Sequence, residues 1–253
     1  MIESTFVFLK GIGLTTERRF WSNGVLTWSD FVSAERIPGL SMSRKQLCNE
    51  EVRLAQDRRR EEDARFFARC LRRRDHWRLY EWLRPRAVYL DIETTANFDI
   101  SVVGLFANGT MTSLVRGESL TASRLHDELM RHDLIVTFNG TGFDLPRLRA
   151  HFPQLAFDQP HMDLCLLGRQ LGLRGGLKRV EQMIGIERPP ALQGIDGWDA
   201  VRWWNRWRQS RDAAARQLLL AYNEADCKNL EPLADLLYAR LAERHCPFDR
   251  PLL

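Results

Sequence analysis

Cysteine is sparse in this 253-residue chain, and its placement excludes two classes of stabilising element. Cys48, Cys70, Cys165, Cys227 and Cys246 are odd in number and scattered, with no C-x-x-C pair. Neither a disulfide framework nor a zinc site is expected from them. Lysine is nearly absent: Lys10, Lys45, Lys178 and Lys228 are the full set, and arginine supplies the other basic residues. The formal net charge of +4 is a weak pull toward an anionic partner. Arg58-Arg59-Arg60 and Arg72-Arg73-Arg74 are local runs that suit either phosphate contact or a solvated helix face. No apolar run approaches membrane-spanning length, and Met1-Ile2-Glu3-Ser4 leads into only a short apolar stretch. A membrane partner and a secretory signal are therefore not expected, and the cytoplasm is the default location. Internal repeats and low-complexity segments are also missing.

The remainder is ordinary globular composition, 44% apolar and 28% charged. The length predicts one domain with a smaller appendage and a sizeable core. Residues 1–40 read as a small helical unit. Lys10-Gly11-Ile12-Gly13 makes a tight hairpin, a helix capped by Thr15 or Thr16 ends at Asn23-Gly24, and TWSDFV opens another. Residues 41–86 read as a helical connector closed by Pro85. From Ala87 to residue 253 the pattern changes. AVYLDIE is a short apolar strand. ISVVGLFA and MTSLVRG flank Asn108-Gly109, a hairpin turn whose two residues tolerate positive φ. SRLHDELMRH is an amphipathic helix, LIVTF a buried strand, DLPRLRAHF a helix and HMDLCLL a strand or helix entry. LKRVEQMIG ends at Gly185, a tryptophan-rich segment follows, and the last long helix starts near Arg211 and breaks near Pro232. An antiparallel meander followed by helix-linked parallel strands predicts an α/β fold, a ribonuclease H-like mixed sheet flanked by helices, with a small helical N-terminal region.

Five residues then carry the chemistry: Asp91 and Glu93 in LDIETT, Asp144 in FNGTGFDLP, and Tyr222 and Asp226 in LLAYNEADC. Asp91 and Glu93 are two apart on a strand, so they share a face. Two carboxylates on so apolar a strand are costly unless a metal or positive charge compensates them. Asp144 follows Asn139-Gly140-Thr141-Gly142, a sharp strand-to-helix turn. It can serve the site, cap the next helix, or both. Asn139 reads as fixing the turn, with substrate contact as the other option. Tyr222 and Asp226 are i and i+4 on a helix and share one face. Oxygen-only ligands select Mg²⁺ or Mn²⁺ over zinc. Two such ions about 4 Å apart activate a water and stabilise a leaving 3′ oxygen in phosphodiester hydrolysis. In this picture Asp91 bridges both ions, and Glu93 and Asp226 complete one site. Asp144 joins Asp91 at the other, and the Tyr222 hydroxyl orients the water.

These motifs resemble the DEDDy class of the DnaQ-like 3′–5′ exonuclease superfamily, and within it the YprB-type ribonuclease H-like family. VYLDIETT, LIVTFNGTGFDLPRL, HMDLCLL, LKRVEQMIGIER, GIDGWDAVRWW and LLLAYNEADCKNLEPLA are the matching segments, over about residues 87–240. The resemblance implies two-metal removal of nucleotides from single-stranded 3′ ends. Asp91, Glu93, Asp144 and Asp226 would be the metal ligands, with Tyr222 as the fifth catalytic residue. It leaves DNA against RNA open. DNA is the first expectation, an exoribonuclease the second, and a non-catalytic nucleic-acid-binding protein the rival of a different class. His161 and Asp163 read mainly as support for the site. Lys178 is either a phosphate contact or a helix-surface lysine.

FLKGIGLTTERRFWSNGVLTWSDF resembles a helix–hairpin–helix unit. Lys10, Gly11, Ile12 and Gly13 would then offer N–H groups and charge to a phosphate, or the unit serves packing alone. Trp203 and Trp207 are expected to pack inward, with base stacking as the alternative.

Overall fold

The computed structural model describes residues 1–245, so Cys246 and the rest of the C-terminal stretch lie outside the described residues. The chain divides into two compact units. One holds Met1–Arg84, Asp158–His161 and the described residues from Tyr238 to His245. The other holds Pro85–Phe157 and Met162–Leu237.

The first unit is helical: α1 (Leu14–Ser22), α2 (Trp28–Ser33), α3 (Met42–Arg60), α4 (Ala64–Cys70) and α5 (Tyr80–Leu83). Aromatic rings form its core. Phe6 meets Phe20 edge-on at 5.6 Å, and Trp28 stacks on Phe67 at 5.9 Å. Thr27 and Asp30 cap α2 reciprocally, which starts that short helix at the expected place. Helix α1 begins earlier than Thr15 or Thr16 would cap it: Gly13 is the N-cap, in an extended conformation. The reason is Glu17. From the first turn of α1 it is fully buried, accepts the N–H of Phe6 at 2.6 Å, and receives both terminal nitrogens of Arg78. Starting the helix at Leu14 turns that carboxylate inward.

The glycine turn ahead of α1 places Gly11 at φ +76. Lys10, Gly11 and Gly13 are exposed, while the Ile12 side chain is buried and its N–H is held by the Leu9 carbonyl at 3.0 Å. The Lys10 N–H donates to Glu51 at 3.4 Å.

The second unit is built on a five-stranded sheet of order β3-β2-β1-β4-β5. Its strands are β1 (Ala87–Thr94), β2 (Ile100–Ala107), β3 (Thr110–Val115), β4 (Leu134–Thr137) and β5 (His161–Asp163). β1 to β3 form an antiparallel meander, and β1 pairs with β4 in parallel. This is the expected mixed sheet. Asn108 and Gly109 take φ of +50 and +75, the twist a two-residue hairpin requires.

Helices α6 (Ala122–Leu129), α7 (Asp144–His151), α8 (Leu164–Gln170), α9 (Leu177–Ile184), α10 (Gly197–Ser210), α11 (Ala213–Lys228) and α12 (Leu230–His245) complete the described chain. Alternate residues of β1 feed two cores. Val88, Leu90 and Ile92 pack with Leu125 of α6 and Leu148 of α7, and the opposite face meets α11. There Val102, Trp203, Trp204 and Leu219 pack together. Trp203 and Trp204 are buried and Trp207 is half-buried, whereas Trp198 is 65% exposed.

The last helical break falls at Asn229, not near Pro232. Pro232 is the third residue of α12, and the first bond into that helix runs from the Leu233 N–H to Asn229. A proline ahead of that bond removes no helical hydrogen bond, so the helix tolerates it.

Candidate active site

Strand β1 presents Asp91 and Glu93 on its α11 side, and α11 brings Tyr222 and Asp226 to meet them. One oxygen each from Asp91, Glu93 and Asp226 lies within 4.8 Å of the others. These residues and Tyr222 line one cavity of about 480 Å³. Phe143, Phe98 and Trp198 also line it. Phe98 and Trp198 are 62% and 65% exposed, so two large rings stand open to solvent where the pocket opens. Phe98 holds φ +62, unusual for an aromatic residue, in the loop after β1.

Asp144 is the first residue of α7, so the N-cap role falls to Phe143. It is buried and accepts the Ile92 N–H at 3.2 Å, the backbone group between Asp91 and Glu93. The loop before it explains the placement. Asn139 adopts φ +65, and its N–H and that of Thr141 donate to the two oxygens of Asp163 at 2.9 and 3.0 Å. Gly140 sits against the Thr137 side chain, where a Cβ has no room. Asp163 also caps α8 through Cys165 and Leu166. Its oxygens are thus occupied by backbone donors, and Asn139 serves the turn.

The electrostatics are those of like charges forced together. Burial pushes the Asp91 and Glu93 carboxyls well above the usual carboxylate range, and Asp226 pushes both further. Burial raises Asp144 to about 7 and also raises Asp226, though Arg188 and Lys178 oppose the shift at Asp226. Burial and the neighbouring carboxylates raise the Tyr222 phenol, so it stays protonated at neutral pH.

Several residues at the centre were not singled out by sequence motifs. Asn223 is fully buried and donates through Nδ2 to Asp91 Oδ2 at 2.9 Å. Gly104, directly opposite Asp91 in the sheet register, has Asn223 and Cys227 packed against its Cα. Arg188 is ion-paired with Asp226 and with Glu181. Lys178, a candidate phosphate contact, donates from Nζ to the Tyr222 hydroxyl at 2.6 Å and lies 4.5 Å from that ring's centre. Asn223 had one local signal, an amide on the inward face of an otherwise apolar helix. Arg188 and Gly104 had none.

Three crowded carboxylates whose pKa values burial raises, with Asp226 raising Asp91 and Glu93 further, are the donor set a hard divalent cation relieves. The residues present therefore fit Mg²⁺ or Mn²⁺. Among the described residues no helix is long and apolar enough to cross a membrane.

Comparison with known proteins supports this placement of the fold. A family B DNA polymerase from the hyperthermophilic archaeon Pyrobaculum calidifontis superposes with a TM-score of 0.53 at 17% sequence identity, over 63% of this chain. The likeness spans 25% of the polymerase, so it concerns the fold of one part of that larger protein. No curated protein sequence matches the chain. The RNase_H_2 model of the RNase_H superfamily matches residues 88–238, a stretch that includes all five motif residues. That stretch is more than half of the sequence, and the chain belongs to the RNase H superfamily.

Proposed function

We propose that this protein is a two-metal-dependent 3′–5′ exonuclease that hydrolyses single-stranded nucleic acid, with DNA preferred. Superfamily membership supports nuclease chemistry in general. The observation that carries the finer reading is the triangle of Asp91, Glu93 and Asp226 oxygens within 4.8 Å, beside the buried Asp144. A protein that merely held nucleic acid would gain nothing from turning this negative charge toward phosphate.

Asp91, Glu93 and Asp226 would hold one Mg²⁺ or Mn²⁺, and Asp91 with Asp144 a second. Bound there, such ions supply a water of lowered pKa and stabilise charge on the departing oxygen. The protein's own groups do the orienting. Lys178 donates to the Tyr222 oxygen, which leaves the phenol hydrogen to be offered elsewhere. Its raised pKa keeps that hydrogen in place, so Tyr222 orients a water and does not deprotonate it.

A pocket of about 480 Å³ takes the end of one strand; a paired end must fray to enter. Exposed Phe98 and Trp198 offer π-faces to unpaired bases, and such stacking tolerates any sequence. The preference for DNA draws on the helix–hairpin–helix-like turn, where Lys10, Gly11 and Gly13 are exposed. Any backbone N–H contact there falls to Gly11 and Gly13, since the Lys10 and Ile12 N–H groups are already engaged, and Lys10 offers its side-chain charge.

The test uses 5′-labelled single-stranded DNA and RNA of one sequence, with wild type and Asp91→Ala in Mg²⁺, Mn²⁺ or EDTA. The expected result is a metal-dependent ladder that shortens from the 3′ end, faster on DNA and absent in the variant. Substrate left intact in every metal condition overturns the reading.

A further inference from the structure

We propose that Glu181 and Arg188 form a clamp that sets Asp226 for a divalent cation, which makes Arg188 a positioning residue of the site. The inference rests on the metal-dependent reading above.

The clamp is a built arrangement. Arg188 Nε and one terminal nitrogen donate to the two oxygens of Glu181 at 2.6 and 2.8 Å, and the same terminal nitrogen reaches Asp226 Oδ1. Glu181 Oε1 also accepts from Asn229 Nδ2 at 2.9 Å, at the end of the helix that carries Asp226. The Arg188 and Glu181 side chains are only 7% and 2% exposed. The guanidinium is therefore locked in a plane by a bidentate partner, and Asp226 is held by a donor that cannot swing away. With Oδ1 engaged, Oδ2 is the less encumbered oxygen for a cation shared with Asp91 and Glu93.

Charge decides between a clamp and a plug. A lone arginine on Asp226 would neutralise it and compete with the metal. Glu181 cancels that charge: the Glu181–Arg188 pair is neutral, so Asp226 is fixed in direction while the cluster keeps its negative charge. Partners of this kind behind a ligand commonly govern metal affinity.

Mn²⁺ binding to the nucleic-acid-free protein, followed by electron paramagnetic resonance, tests the clamp without any turnover. Wild type should bind Mn²⁺ and Asp91→Ala should lose it. Arg188→Met should weaken binding by roughly 10- to 100-fold. The double variant Glu181→Gln/Arg188→Met leaves no lone charge in the interior, so it keeps the test alive if the single variant does not fold. It should bind as weakly. Arg188→Lys should recover only part of the loss, since one ammonium cannot reproduce the planar fork. Arg78→Met, which breaks a buried ion pair with Glu17 in the helical unit, is the control for lost stability and should leave Mn²⁺ affinity unchanged.

Unchanged or tighter Mn²⁺ binding in the Arg188 variants overturns the clamp. If Asp91→Ala loses the ion while those variants retain it, the clamp alone is wrong. If wild type binds no Mn²⁺, the metal-dependent reading falls and the clamp with it.

Discussion

In the helical unit, Glu17 is wholly buried, yet it accepts from two backbone N–H groups and a bidentate arginine. In the sheet unit, Asp91, Glu93 and Asp226 crowd within 4.8 Å, and the direct opposing contacts are Asn223 on Asp91 and Arg188 on Asp226. Both places bury carboxylate charge and burial raises the pKa in each, but only Glu17 has a bidentate arginine and two backbone N–H groups to oppose that rise. Burying ionised groups costs several kcal/mol each unless partners offset it. A fold keeps the Glu17 arrangement because it closes on itself. The sheet cluster costs stability until something positive joins it, and that deficit is what marks it as functional.

The largest effect expected from breaking this contrast is on turnover. Asp91→Asn should lower the nucleolytic rate by on the order of 10³-fold or more, because one ligand serves both proposed ions. The same substitution removes a repelling charge, so in EDTA it should raise the melting temperature by about 2–4 °C per kcal/mol relieved. A lower melting temperature in EDTA would show that Asp91 is already compensated, as Glu17 is. The mirror experiment is Arg78→Met. Removing one partner of a fully buried pair should cost about 3–5 kcal/mol in urea denaturation, and an unaltered midpoint would show that Glu17 needs no arginine.

Titration sharpens the comparison. The folded pKa values of Asp91, Glu93 and Asp144 are raised, Asp144 to about 7, so the folded state binds more protons than the unfolded one. Their contribution is complete below the ordinary carboxylate pKa and is lost as pH rises through the folded values. Without metal, stability should fall by on the order of 2 kcal/mol between pH 5 and pH 8. Saturating Mn²⁺ should flatten or reverse the slope, since it binds the deprotonated cluster. Parallel melting curves against pH, with EDTA and with Mn²⁺, decide this; a metal-free slope of zero would mean that burial in the fold does not raise these carboxyls.

What could be read ahead of the structure was whatever a local period encodes. The two-residue step from Asp91 to Glu93, the four-residue step from Tyr222 to Asp226 and the Asn108-Gly109 turn each determine a geometry within one element. The strand order followed from hairpin and crossover rules acting on those elements. Arg188, Asn223 and Gly104 escaped because the contacts that tie them to the site, with Asp226, Asp91 and Asn223 respectively, span 38, 132 and 119 residues of sequence across separate elements. The start of α1 was misjudged for a related reason: threonine preference for the cap yielded to the burial of Glu17 against Phe6 and Arg78. Even Lys178, visible as a helix lysine, acquired its contact only when α9 met α11 at Tyr222.

Gly104 gives the smallest expected effect and the finest test of how the cluster is assembled. A glycine inside a strand weakens it, so its place in β2 needs a reason. Its backbone faces α11 directly opposite Asp91, and an added methyl would run into the Asn223 side chain and come within 2.6 Å of Cys227 Sγ. Gly104→Ala must therefore push α11 off the sheet and stretch the Asn223 bond to Asp91. Overpacking of this kind should cost about 1–3 kcal/mol. Turnover should fall as well, because Tyr222 and Asp226 ride on the displaced helix. Adding Asn223→Ala to Gly104→Ala removes the tighter of the two clashes and leaves the one with Cys227 Sγ, so part of the stability should return. Turnover should stay low, since Asp91 has then lost its only side-chain donor among the described residues. Recovery of both together would mean that α11 needs only to sit close to the sheet. Recovery of stability alone would mean that the amide orients the carboxylate that both proposed ions would share.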